Sequence, residues 1–180
     1  HLLDEFVLEL SENAPAAAQV TEIELHEVPL EPFDSFEIRF SEEDDAQEST
    51  LVSPALAICA DCERELFSPQ DRRFRYPFIN CTNCGPRFTI TDKLPYDRAN
   101  TSMAVFPMCA ACQTEYEDSA DRRFHAQPDA CFACGPHLTW WDPMREPQQV
   151  IIAETREQSD EVLAKAVQLL RGGGILAVKG

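Results

Sequence analysis

All eight cysteines of the chain lie in four CxxC pairs, and these pairs restrict its fold more than any other feature. The pairs are Cys59/Cys62, Cys81/Cys84, Cys109/Cys112 and Cys131/Cys134. In each half of the pattern 18 residues separate the two pairs, so the unit repeats with a period of 50 residues. Residues 59–90 are identical to residues 109–140 at 13 of 32 positions. The chain therefore contains an internal duplication.

The cysteine spacing predicts two zinc sites. Two residues between cysteines let one turn present both sulfurs to a single ion, and two such pairs complete a tetrahedron of thiolates. Four thiolates leave no coordination position for water or substrate, so we expect both ions to be structural and to stabilise the fold. Gly85 and Gly135 follow the second pair of each repeat, where we predict positive φ angles. All eight cysteines are the predicted ligands.

Several ways of pairing the cysteines are open. Each repeat can hold its own ion, or Cys59/Cys62 can share an ion with Cys109/Cys112 in a cross-brace. Loop-closure entropy separates these by only about 0.6 kcal/mol per doubling of loop length, and we favour local pairing because a duplicated unit most simply keeps its own metal. Four disulfides or a redox CxxC are less favoured, because four tight pairs stand in register and no secretion signal is recognisable.

Charge and hydropathy exclude some classes of function. The net charge is −17, and residues 1–58 hold 15 acidic residues and one arginine. A chain this acidic does not bind phosphate backbones by bulk charge, so we expect no nucleic-acid partner. No segment reaches the roughly 18 apolar residues of a membrane span, and the acidic start is unlike a signal peptide. We therefore expect a cytoplasmic protein without a membrane partner.

Outside the cysteine region the residue patterns predict a mixture of helices and strands. Apolar spacing predicts a helix over residues 1–13, and alternation from Val20 to His26 and from Phe36 to Phe40 predicts two strands. Residues 41–50 are acidic and read as a linker. We predict a helix from Thr155, capped by Thr155 or Ser159 and ended by Gly172–Gly174, and a buried strand over 175–178. Trp140 and Trp141 could cover the zinc module's core or face a neighbouring domain.

The segments 59–98 and 106–136 resemble the double zinc-finger region of the hydrogenase-maturation carbamoyltransferases, the HypF family. The resemblance implies an α+β chain with four parts. These are the C-terminal part of a ferredoxin-like, acylphosphatase-like domain (1–41), an acidic linker (42–54), two C4-type zinc fingers (55–141, with ligands over 59–84 and 109–134) and the start of an α/β YrdC-like domain (150–180). We expect the chain to be a fragment of a longer protein.

The resemblance also implies a function. Full-length members use carbamoyl phosphate and ATP to form carbamoyl adenylate and pass the carbamoyl group to the C-terminal cysteine of the partner protein HypE. Lys179 stands where the nucleotide pocket of the YrdC-like domain would begin, although a solvated lysine explains it equally well. We expect no catalytic residue in this segment and no activity from the 180 residues alone. The alternative is a stand-alone zinc-ribbon interaction module without catalysis.

The longest identical run besides the ligands is Asp71–Phe74 with its copy Asp121–Phe124. In one hypothesis each Phe packs over its metal site while Asp and Arg pair locally, and the run is structural. In the other, an arginine or His125 faces a channel between domains and holds an anionic carbamoyl intermediate. The candidates are Arg72, Arg73, Arg122, Arg123 and His125.

Overall fold

The computed structural model describes residues 2–14, 18, 20–30, 32, 34–35, 52–142, 144 and 149–179. Residues 1–51 and residues 52–180 form two separate compact units. Within the described residues, no helix combines the length and the apolar character needed to cross a membrane.

The first unit contains helix α1, Leu2–Glu12, which confirms the predicted N-terminal helix. None of its side chains is buried. Residues 20–30 form no strand, so the strand predicted from Val20 is wrong in this structure. The alternating pattern is present, but Leu25 is 74% exposed and no described residue offers a neighbouring strand to satisfy its backbone. The predicted strand 36–40 and the acidic linker lie outside the described residues.

The second unit begins with the cysteine repeats. Each repeat contributes one short helix, α2 over Ala60–Leu66 and α3 over Ala110–Glu117, and three 3₁₀ turns lie between them, Phe88–Ile90, Arg98–Asn100 and Ser102–Val105. The buried cluster here consists of cysteines and few other apolar side chains: Cys62, Tyr76, Ile79, Cys81, Cys84, Met103 and Ala130. A core this small and this rich in thiols is typical of folds that metal ions stabilise.

A β-hairpin that the sequence analysis did not predict follows the repeats. Strand β1, Leu138–Asp142, pairs antiparallel with β2, Gln149–Ala153, with Trp140 opposite Ile151. Aromatic and β-branched residues in both segments are the signal that could have revealed it. Trp140 is partly buried, whereas Trp141 is 60% exposed.

Helix α4, Arg156–Arg171, packs against the hairpin and confirms the predicted helix. Its start is a complete capping box, in which the Thr155 hydroxyl accepts from the Gln158 backbone and the Gln158 side chain accepts from the Thr155 backbone. The chain leaves the helix at Gly172, as predicted. The strand predicted over 175–178 is wrong in this structure: Ile175 is 93% exposed, and no strand among the described residues pairs with this segment.

Candidate metal centres

The first cysteine pair of each repeat is positioned by a helix N-terminus. Cys59 is the N-cap of α2, and Cys62 lies in its first turn; Cys109 and Cys112 have the same positions in α3. An N-cap and the residue three positions on lie on the same side of the first turn, which brings both sulfurs to the end of the helix.

The second pair of each repeat lies in a tight turn that ends at a glycine. Gly85 has a φ of 96°, as predicted, and a Cβ there would meet the Asn80 Cβ at 2.6 Å. Gly135 is not among the residues with positive φ, so that prediction is wrong. Close packing is the reason for a glycine at this position, because a Cβ would overlap the Tyr76 hydroxyl and the Ala130 side chain.

The eight cysteines form two tetrads, each within one repeat, which is the local pairing that the duplication favours. The first contains Cys59, Cys62, Cys81 and Cys84, and the second contains Cys109, Cys112, Cys131 and Cys134. In the first tetrad the Sγ atoms of Cys59 and Cys81 are 3.7 Å apart, and those of Cys81 and Cys84 are 3.8 Å apart. In the second, the corresponding distances are both 3.8 Å.

These distances test whether the tetrads fit zinc. A tetrahedron of sulfurs around a zinc ion with bonds of about 2.3 Å has edges of about 3.8 Å. A disulfide would require about 2.05 Å between sulfurs, and all eight cysteines are free. Each tetrad therefore suits one zinc ion, which its four cysteines would hold. A zinc ion supplies positive charge and a fixed tetrahedral geometry at such a site.

The thiols of a tetrad influence each other's ionisation strongly. Contact with the sulfurs of Cys81 and Cys84 raises the pKa of Cys62, whereas contact with Cys62 and Cys81 lowers the pKa of Cys84 to about 3. In the second tetrad, the contact with Cys112 lowers the pKa of Cys131 to about 4. Metal binding requires all four thiols of a tetrad to release their protons, so zinc affinity depends on pH.

The first arginine of each Asp–Arg–Arg–Phe run, Arg72 or Arg122, donates a hydrogen bond to a cysteine sulfur of the other repeat. Arg122 donates from Nη1 to the Cys62 Sγ at 3.1 Å and from Nε to Glu65 at 3.1 Å. Its counterpart Arg72 donates to the Cys112 Sγ at 3.3 Å, and its Nε donates to Glu115 at 3.1 Å. Each glutamate follows its cysteine by three residues on the same short helix, so one guanidinium spans both acceptors.

The second arginine of each run, Arg73 or Arg123, lies in the interface between the repeats and is almost completely buried. We call these two residues the inner arginines. Arg73 donates from Nε to the Ala130 carbonyl at 2.8 Å, and Arg123 donates from Nε to the Asn80 carbonyl at 3.1 Å. Ala130 and Asn80 occupy equivalent positions of the two repeats, just before the second cysteine pair. The two repeats therefore exchange equivalent contacts. Burial opposes ionisation of Glu115, but hydrogen bonds from Arg73 and Arg72 outweigh it and lower the pKa of Glu115 to about 2.

These contacts correct the hypothesis of local Asp–Arg pairing. Asp71 and Asp121 accept hydrogen bonds from the backbone N–H groups of Arg73 and Arg123, both at 2.7 Å, while the guanidinium groups cross to the other repeat. The Phe74 ring lies beneath the guanidinium of Arg156 on α4, and the Arg156 Cζ is 5.6 Å from the ring centroid. Phe74 therefore packs towards helix α4.

The four arginines line one open cavity of about 640 Å³ between the repeats. Four carboxylates line the same cavity, those of Glu65, Asp71, Glu115 and Asp121, so the formal charges balance. This balance weighs against a site for an anionic intermediate. His125 stacks on Tyr116 with ring centroids 4.9 Å apart, and Lys179 is exposed. The roles of Glu65, Glu115 and Asp129 could not be predicted from the sequence, although the two glutamates are identical between the repeats.

Comparison with known proteins agrees with this geometry. A family model described as the HypF finger matches residues 58–91 and again residues 108–141. The carbamoyltransferase HypF of Synechocystis sp. is 51% identical over 176 residues, which are 98% of this chain and 22% of that protein. The HypF2 carbamoyltransferase of Cupriavidus necator is 50% identical over 99 residues, 54% of this chain and 12% of that protein.

Solved structures match along the chain as well. A crystal structure of full-length HypF in a phosphate- and nucleotide-bound form gives a TM-score of 0.82 at 45% identity, covering 99% of this chain and 22% of that one. The crystal structure of T. kodakarensis HypF gives a TM-score of 0.69 at 42% identity, covering 90% of this chain and 20% of that one. This chain thus spans about a fifth of the length of the Synechocystis relative.

Proposed function

We propose, from the premise that this chain belongs to the HypF family, that it is the zinc-finger part of an enzyme that transfers carbamoyl groups. The observation that carries the proposal is the 51% identity to a carbamoyltransferase over 98% of the chain. The full-length enzyme uses carbamoyl phosphate and ATP and delivers the carbamoyl group to the C-terminal cysteine of a HypE-type acceptor protein. A relative whose structure binds phosphate and nucleotide supports this choice of substrates.

The zinc fingers have a structural role in this enzyme. Each tetrad closes the coordination of its ion, so neither zinc can bind substrate or activate water. The arginines nearest to the sulfurs are paired with glutamates and backbone carbonyls of the other finger. The module therefore stabilises the fold of the chain rather than binding substrate. We propose that residues 1–41 belong to an acylphosphatase-like domain and residues 150–180 to a YrdC-like domain, with the acidic linker over 42–54.

The proposal places the enzyme in the reducing cytoplasm, where eight thiolate ligands keep their zinc. Taken alone, the 180 residues are inactive. Among the described residues, the buried ionisable side chains are metal thiols, their paired arginines and carboxylates, and Tyr76, and none of these is arranged as an acid–base pair beside an open site. Lys179, an exposed side chain, contributes to nucleotide binding only together with the remainder of its domain.

The test is transfer of a radioactive carbamoyl group from carbamoyl phosphate to a HypE-type acceptor in the presence of ATP. Full-length protein should label the C-terminal cysteine of the acceptor, and the 180-residue chain should not. An acceptor whose C-terminal cysteine is replaced by alanine is the matched control. Turnover of ATP by the 180 residues alone, or full-length protein that never labels the acceptor, would contradict the proposal. Binding of the acceptor by the isolated chain without any transfer by the full-length protein would favour an interaction module.

A further inference from the structure

We propose that the two fingers load zinc with positive cooperativity, because the arginines of each finger stabilise the metal-binding thiolate of the other. This inference goes beyond carbamoyl transfer and concerns how the module assembles. It starts from three N–H···S contacts. Arg122 reaches Cys62 at 3.1 Å, Arg72 reaches Cys112 at 3.3 Å, and Arg73 reaches Cys112 at 3.5 Å. Every donor belongs to the opposite finger.

The arginine contacts fall on two of the four fully buried sulfurs. A zinc ion with four thiolates carries a net charge of about −2, which is costly to remove from water unless it is compensated. Cys62 and Cys112 have no exposed surface. The guanidinium groups supply both a hydrogen bond and a positive charge at these two sulfurs. Loss of a hydrogen-bond donor to a metal ligand typically weakens metal affinity by about ten- to a hundredfold.

Each arginine pair is held in place by its own finger. In the first finger, the Asp71 carboxylate accepts from the Arg73 N–H at 2.7 Å, and the Arg75 N–H donates to the Leu66 carbonyl at the end of α2 at 2.8 Å. In the second finger, the equivalent His125 N–H donates to the Tyr116 carbonyl at the end of α3 at 3.0 Å. Arg75 and His125 both have positive φ angles, 61° and 51°, a conformation that folded surroundings must maintain.

The coupling follows because each finger holds its own arginines in place, while those arginines donate to a cysteine of the other finger. The turn that carries Arg122 and Arg123 connects the two cysteine pairs of the second finger, so it is ordered only when that finger is folded around its metal. Loss of the second finger's zinc therefore removes the donor from Cys62 and weakens zinc binding in the first finger. By thermodynamic reciprocity, loss of the first zinc weakens the second site by the same factor.

The test measures metal affinity at the first finger with the second finger loaded or unable to load. In full-length protein, replacing Cys131 and Cys134 together by serine prevents loading of the second finger. We expect the first finger of this variant to bind zinc about ten- to a hundredfold more weakly in competition with a chelator. The protein loaded with ¹¹³Cd should then show one tetrathiolate resonance, which identifies the first site.

Arg122→Gln separates the proposed contact from a general loss of stability. With the second finger loaded, this substitution should lower the affinity of the first site and shift its ¹¹³Cd resonance. In the Cys131→Ser, Cys134→Ser background it should have no further effect, because the arginine is already out of place. Arg64→Gln is the matched control: Arg64 lies on α2 close to Cys62, is exposed, and pairs with Asp61 at 2.6 Å. Arg64→Gln should change neither the zinc affinity of the first site nor its ¹¹³Cd resonance.

Two results would overturn the proposal. One is a first site that keeps its full zinc affinity when the second finger cannot load. The other is an Arg122→Gln effect of equal size in both backgrounds, which would make the arginine a local structural residue. Both readouts are metal affinities and resonances, so they remain informative even if carbamoyl transfer fails to be the protein's activity.

Discussion

Arg73 of the first finger and Asp129 of the second form an ion pair of 2.7 Å in which the side chains are 1% and 0% exposed. This pair has no counterpart with the repeats exchanged, because the position that corresponds to Asp129 in the first repeat is Ile79. Asp129 also lies 3.5 Å from Arg123, so one carboxylate faces the inner arginines of both fingers. Burial nevertheless raises the pKa of Asp129 to about 6, with both arginines acting in the opposite direction.

The first prediction concerns metal content. Protein purified under reducing conditions should contain two zinc ions per chain, since eight thiols form two tetrads with spacing suited to zinc. Elemental analysis checks the number, and chelation should unfold residues 55–141, which far-ultraviolet circular dichroism would detect. Cys81→Ser should lose one ion and retain the other when zinc is in excess. One ion or none in the unmodified protein would contradict the prediction.

The second prediction concerns the inner arginines. Arg73→Lys should lower the free energy of unfolding by about 3 kcal/mol, because a lysine cannot satisfy the Ala130 carbonyl, the buried Asp129 carboxylate and the partly buried Glu115 carboxylate together. Arg123→Lys should act in the same direction. Chemical denaturation measures the change, and exposed Arg64→Lys should change it by less than about 0.5 kcal/mol.

The same arginine variants decide between the two hypotheses for the repeated Asp–Arg–Arg–Phe run. In full-length protein, carbamoyl transfer per folded molecule should remain unchanged in Arg73→Lys and Arg123→Lys. A variant with intact melting curve and zinc content but a transfer rate reduced about tenfold, or about 1.4 kcal/mol of barrier, would make that arginine a site residue.

The third prediction concerns Gly135. Gly135→Ala should destabilise the module by about 1 to 3 kcal/mol, because the added methyl group would overlap the Tyr76 hydroxyl and Ala130. Thermal unfolding of the zinc-loaded protein measures the effect. Tyr76→Phe removes one of the two overlapping groups and should recover part of the loss when combined with Gly135→Ala. The interpretation fails if Gly135→Ala alone leaves the stability unchanged.

The fourth prediction concerns pH. The pKa of Glu115 is lowered to about 2 in the folded protein, so its ion pairs contribute in full above its unfolded value near 4.5 and are lost as the pH falls from there towards 2. The difference in unfolding free energy between the unmodified protein and Glu115→Gln should therefore stay constant from about pH 9 to about pH 7.5, a range above the pKa values of both Glu115 and its neighbour Asp129. A difference that declines within this range would show that Glu115 is not held ionised.

The cysteine pattern by itself determined the two metal sites, because ligand spacing and duplication are local properties of the sequence. Helix α4 was also predictable with its cap, since a capping box and terminal glycines lie within the helix's own residues. The strands predicted at 20–26 and 175–178 were not found, because a strand depends on a neighbour that its own residues do not specify.

The partners of the arginines were decided only by the tertiary structure. The repeated Asp–Arg–Arg–Phe run indicated a constraint, and local pairing was the simplest interpretation. In the folded chain, Arg72 instead lies beside Glu115, 43 positions along the sequence, and Arg122 beside Glu65, 57 positions away. Which finger supplies the charge for each metal depends on how the two repeats pack together. Both repeats carry the same arginines and the same glutamate, so the sequence alone is compatible with pairing within a repeat or between repeats. The packing of one repeat on the other selects pairing between repeats.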